Sequence, residues 1–184
     1  MKEEFLYKWG LKIVVFSFIG MIFYFGTPSV GPYMYLILVF SACCWFVYEY
    51  RKNRKIVGKA LLLGLFLMIF DFLVQNAGSV LGLWKTFGSV LFVLSVPVEI
   101  MVLCVVGGAA WAMHVPERFD KIYVLGDSII FGLYGAVGEM LLIKNGLMEY
   151  MGWWNFSCAF FGYFVAWWIL SFVWYKVLRI TLEV

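Results

Sequence analysis

Long apolar runs alternate along this chain with short charged or turn-rich islands, and each run is about one membrane width long. Six runs stand out: about Phe5 to Gly26, Tyr33 to Tyr50, Ile56 to Leu83, Ser89 to His114, Ile122 to Ile143 and Phe156 to Tyr175. A stretch of about 20 apolar residues crosses the hydrocarbon core of a bilayer as helix, so each run predicts one transmembrane span. The islands are Thr27-Pro28 through Pro32, Arg51 through Lys55, Trp84 to Gly88, Pro116 through Lys121, and Lys144-Asn145-Gly146. From Gly146 to Asn155 the chain reads as an interfacial turn, with Tyr150, Trp153 and Trp154 at headgroup level. Thr27-Pro28 replaces the small-residue cleavage site of a signal peptide, so the first run is expected to persist as a span. The expected fold is all-α: a polytopic bundle of six transmembrane helices forming a single domain over residues 1–184.

Composition agrees with that pattern. Hydrophobic residues make up 65% of the chain and charged residues 14%, against about 25% charged in soluble proteins. With six spans, twelve of the 14 Lys and Arg fall on the side that holds both termini, and only Lys85 and Lys144 on the other. That asymmetry predicts cytoplasmic termini and a multi-pass protein of the cell membrane. The four cysteines (Cys43, Cys44, Cys104, Cys158) lie in apolar segments without metal-ligand spacing, and are expected to act as small buried hydrophobes. No metal or cofactor is expected. The single histidine, His114, cannot assemble a multi-histidine iron site and is expected to be solvated at the cytoplasmic rim. Nucleotide-binding and hydrolase motifs are absent from the sequence, and nucleic acid is not an expected partner.

The chain also echoes itself faintly. Asp71 is followed by Gly78 and Trp84, and Glu139 by Gly146 and Trp153 at nearly the same spacing. The echo suggests that spans three and four repeat as spans five and six.

Carboxylates within the apolar runs carry the functional expectation. A charge at the bilayer centre costs about 2.5 kcal/mol or more on insertion scales, so such residues mark function or specific pairing. The candidates are Asp71, Glu99, Asp127 and Glu139. Gln75, Asn76, Gly78, Trp84 and Trp111 are candidate binding residues. Asp71, Gln75, Gly78 and Gly82 share one helix face by spacing. Asp71 and Glu99 are expected to meet at one depth from adjacent helices, with no basic residue level with any of the four acids. A carboxyl in low dielectric without a cation favours its neutral form, and a neutral acid can donate a proton near neutral pH. The alternative is that protonated carboxyls only hold helices together. Gly132, Gly135 and Gly138 are expected to admit a neighbouring helix. The abundant aromatics suit membrane belts or a site that stabilises a cation.

The order of an in-membrane acid, G-x3-G-x-W, an aromatic turn and P-x-E resembles the carotenoid-modifying membrane proteins, namely heterodimeric-type lycopene cyclase subunits and carotenoid hydratases. The matching residues are Asp71, Gly78, Gly82, Trp84, Pro97 and Glu99. The resemblance covers residues 68–112, with a fainter match in 127–168. It implies cofactor-free acid chemistry, in which a carboxyl protonates a terminal double bond and the cation then closes a ring or captures water. Asp71 and Glu99 would be acid and conjugate base, and Glu139 would serve a repeated site. Ile100 stands where the cyclases carry a second acid, which leaves cyclisation and hydration both open. The enzyme would thus be an isomerase or lyase acting on a lipid-soluble polyene or prenyl substrate. The competing reading is a proton- or cation-coupled transporter or channel component, with a hydrated path from Asp127 to Glu139. Membrane lipids are further expected partners, and homo- and hetero-oligomers both remain open.

Overall fold

The computed structural model describes residues 2–26 and 29–179; Thr27 and Pro28, the stop expected after the first span, lie outside them. The chain is an all-α bundle with six α-helices among the described residues: α1 Lys2–Phe25, α2 Met34–Lys52, α3 Val57–Val80, α4 Val98–His114, α5 Lys121–Lys144 and α6 Phe156–Phe172. A π-helical stretch, Val173–Leu178, continues α6. Five of the helices are long and apolar enough to cross a membrane. The protein is therefore a multi-pass membrane protein by length and composition. Its outward side chains suit lipid: Phe25, Val80 and Val90 are 77%, 87% and 88% exposed.

α4 is the shorter sixth helix, with 17 residues, about 25 Å at 1.5 Å per residue. Here the structure corrects the expected span of Ser89 to His114. Residues Phe92–Val93 (β2) and Val96–Pro97 (β3) form a small antiparallel hairpin instead, turned at Leu94 with φ +56°. Pro97 lacks an N–H donor and sits just before the first helical turn, where proline is tolerated. The run LFVLSV is apolar enough to pass for helix in sequence, yet the fixed proline and the hairpin divert it.

α3 packs on α4 and α5 on α6, while α1 lies against α5 and α2 against α4. The main apolar core sits at the end of the bundle that holds the described termini, around Trp111, Tyr123, Leu63, Leu170 and Trp174.

The α3–α4 and α5–α6 units resemble each other in geometry. α3 and α5 are both 24 residues long. Each ends in a glycine of positive φ, Gly82 at +65° and Gly146 at +71°. In both, the residue after the glycine closes a 6→1 hydrogen bond, Leu83 N–H to Gly78 O and Leu147 N–H to Leu142 O. This Schellman ending requires a left-handed residue, which glycine adopts at least cost. The strands that follow, Trp84–Thr86 (β1) and Met148–Tyr150 (β4), pair antiparallel about Lys85 opposite Glu149. Two reciprocal bonds flank the pair, Phe87 N–H to Leu147 O and Met151 N–H to Leu83 O. The geometric register is Gly82 with Gly146 and Gln75 with Glu139. It corrects the sequence echo, which aligned Asp71 with Glu139.

Candidate functional site

A half-open cavity of about 1850 Å3 is lined by side chains from all six helices. Drug-sized ligand pockets are usually about 300–1,000 Å3, so this space suits a long molecule. Its walls are mostly apolar. Among the candidate residues, Asp71, Gln75, Trp84 and Glu139 line it.

Asp71 lies well inside α3, half-buried and opening onto the cavity. Its nearest polar neighbours are the side chains of Cys104 on α4 and Gln75 one turn on. Its Oδ2 is buried with no hydrogen-bond partner. Gln75 is held from the other side, where Trp84 Nε1 donates to Gln75 Oε1 at 3.1 Å.

Glu139 is the acid that α5 brings to the same space. It is 8% exposed and surrounded by neutral donors. Tyr150 Oη donates to its Oε2 at 2.6 Å and Trp154 Nε1 at 3.3 Å, and the Tyr163 hydroxyl of α6 reaches it as well. Gly135 makes that last contact possible, since a Cβ there would strike the Tyr163 ring. Tyr163 also lines the same space as Asp71 and Cys104. Trp84 and Trp154, with ring centroids 4.5 Å apart, close this end of the cavity. Neither Asp71 nor Glu139 makes an ion pair among the described residues.

The expected pairing of Asp71 with Glu99 is not formed. Glu99 turns toward the segment just before the β2–β3 hairpin, where it accepts hydrogen bonds from the Ser89 hydroxyl and from Val90 N–H at 3.2 Å. Ser89 and Val90 present donors that a carboxylate in the first turn of α4 satisfies more readily than a distant acid could. Glu99 is not part of the cavity wall. Asn76 is similarly engaged, accepting from Ser95 N–H at 3.2 Å and Ser95 Oγ at 2.7 Å. Gly78 serves as a seat for the Trp84 ring rather than as a wall of the cavity.

Asp127 is corrected more sharply. It was expected to lack a cation at its depth, but Lys12 of α1 is ion-paired to its Oδ1. Trp111 Nε1 donates to Oδ2 at 2.6 Å, and Lys12 Nζ also donates to the Tyr123 hydroxyl at 2.9 Å. Lys12 and Asp127 are 3% and 0% exposed. Trp111 therefore clamps Asp127 and does not line the cavity. Lys12, assigned by its nearness to the N-terminus to the charged rim, points inward instead.

His114 is likewise not solvated. It is 4% exposed and its Nδ1 is 2.7 Å from Glu49 Oε1. Of the three glycines expected to admit a helix, Gly132 meets Phe160 and Gly135 meets Tyr163, whereas Gly138 faces open space. Tyr163 goes unnamed in the sequence reading, while Tyr150 and Trp154, expected at headgroup level, and Cys104, expected as a small hydrophobe, reach the acids. A search for Tyr and Trp one helix away from each acid could have found the first three.

No protein family, curated protein or solved structure matches this chain.

Proposed function

We propose that the protein is a membrane enzyme of the cell membrane, with cytoplasmic termini, that performs acid chemistry on an elongated isoprenoid or carotenoid held in the large cavity. The observation that carries this reading is that Asp71 and Glu139 border one apolar, aromatic-lined space with no cation paired to either. Such acids favour their neutral forms and can protonate a terminal carbon–carbon double bond. In that step the acid O–H bond breaks, a C–H bond forms, and the π pair is consumed, leaving a carbocation and a carboxylate. The cation then either closes a ring and returns a proton to the carboxylate, or takes up water and releases a proton to it. The first outcome is an isomerisation and the second a hydration. Trp84, Trp154 and Tyr163 offer aromatic faces that stabilise positive charge without reacting. Asp71, with its unpartnered oxygen, is the proton donor and its carboxylate takes the proton back, while neutral Glu139 with Tyr163 orients the chain beside it.

Mass spectrometry of lipids co-purifying with the protein tests the substrate class, the expected finding being a polyene or prenyl chain. Asp71→Asn and Glu139→Gln should each abolish product formation from that chain. Unchanged product in both variants would overturn the assignment. The transporter reading is less well supported, because the Asp127 end of its expected path is closed by Lys12, Trp111 and Tyr123.

A further inference from the structure

We propose that a second, basic cleft at the end of the bundle near the described termini binds the anionic phosphate headgroup of a lipid, whose chain enters the apolar cavity. The cleft, about 1010 Å3, lies between the start of α1, the α2–α3 turn and the α4–α5 turn. Arg51, Lys52, Arg54, Lys55 and Arg118 line it. The preference for positive residues at a cytoplasmic face explains their number. It does not explain why they surround a concave site most of whose own carboxylates are already taken.

Four carboxylates line the cleft, and three are committed. Glu4 is 3.4 Å from Lys8 Nζ. Glu49 is held by His114 and by Asn53 Nδ2 at 3.3 Å. Asp120 caps α5, accepting from Ile122 N–H at 2.8 Å and Tyr123 N–H at 3.0 Å. Only Glu117 remains to face the five cations. Lys52 rests on the Tyr48 ring and hydroxyl. Arg51, Arg54, Lys55 and Arg118 enter no ion pair among the described residues. The cleft thus carries an uncompensated positive charge.

A phosphate answers that charge best. It is compact, carries its charge on several oxygens, and accepts the two-pronged hydrogen bonding of arginine. Basic pockets between transmembrane helices bind lipid headgroups by this chemistry. The second observation is continuity: Leu11, Tyr48 and His114 line both the cleft and the apolar cavity. A headgroup seated among the arginines would therefore stand at a mouth of the apolar space. The headgroup site does not depend on the chemistry of Asp71 and Glu139, and its variants leave those residues intact, so the two readings fail separately.

The test compares wild type, the triple variant Arg54→Gln/Lys55→Gln/Arg118→Gln, and the control Lys85→Gln in β1. Each is placed in nanodiscs of phosphatidylcholine with a minor fraction of phosphatidylglycerol, and bound lipids are counted by native mass spectrometry. Wild type and the control should retain phosphatidylglycerol selectively. Three lost charges at about fivefold each should weaken retention on the order of a hundredfold in the triple variant. Equal retention in all three proteins would overturn the proposal. Stabilisation of wild type by inorganic diphosphate, without lipid selectivity, would overturn the lipid assignment and give the cleft to a free phosphate. A folding defect in the triple variant is separated by its melting temperature, and the single variant Arg118→Gln, expected to lose about fivefold, then carries the comparison.

Discussion

Asp127 and Glu139 sit on one helix, twelve residues or about 18 Å apart, yet the bundle treats them oppositely. Asp127 is enclosed by an ion pair, an indole N–H and a tyrosine, and faces no cavity. Glu139 has only neutral donors and borders a large apolar space. The first arrangement uses charge to fix where α1 and α4 lie against α5. The second leaves a carboxyl chemically uncommitted. An intramembrane acid is thus a marker of importance, and its partners decide whether that importance is architectural or chemical.

The largest expected stability effect comes from breaking the enclosed site. Lys12→Met leaves Asp127 buried without its cation and should cost about 3–5 kcal/mol, read as thermal unfolding in detergent. Lys12→Met combined with Asp127→Leu should recover most of that loss, because an apolar pair of similar volume often replaces a buried ion pair. Failure of the double variant to recover would mean that α1 is placed by something other than the pair.

Gly135→Ala forces the Tyr163 ring away from α5 and should cost about 1–3 kcal/mol as overpacking. It should also disturb the Glu139 site, so activity should fall more than stability does. Tyr150→Phe removes one donor to Glu139 and should cost about 1 kcal/mol. Burial first, and the hydrogen bond to Glu139 second, raise the Tyr150 phenol above its ordinary value. Its contribution is therefore full below an unfolded pKa of about 10 and is lost as pH rises through the higher folded value. Alkaline titration should consequently destabilise wild type more than Tyr150→Phe. The smallest stability effect is expected for Glu139→Gln, within about 1 kcal/mol, because the amide oxygen can still accept hydrogen bonds. A loss as large as that of Lys12→Met would make Glu139 a structural residue.

Much of the architecture was legible in the residue pattern. Apolar runs of membrane length place five long helices, and the Lys144-Asn145-Gly146 island marks the end of α5, whereas Gly82, expected on the helix face of Asp71, lies beyond α3 with φ +65°. The hairpin before α4 was not legible, because LFVLSV satisfies helix and strand equally and only pairing with its neighbour chooses. Of the candidate site, Asp71, Gln75, Trp84 and Glu139 were found in sequence and do line one cavity. Glu99, Asn76, Gly78, Trp111 and Asp127 were found but are committed elsewhere.

The sequence by itself determined that the chain is helical and lipid-facing, since hydrophobicity and local spacing act over one or two turns. Tertiary structure alone decided which acids share a space. Lys12 lies 115 residues from Asp127 along the chain, and no local rule connects them. The Tyr163 contact with Glu139 likewise depends on α6 seating against Gly135. Burial of a charge is a requirement that a sequence can announce, whereas the group that satisfies it comes from wherever the fold brings one within reach.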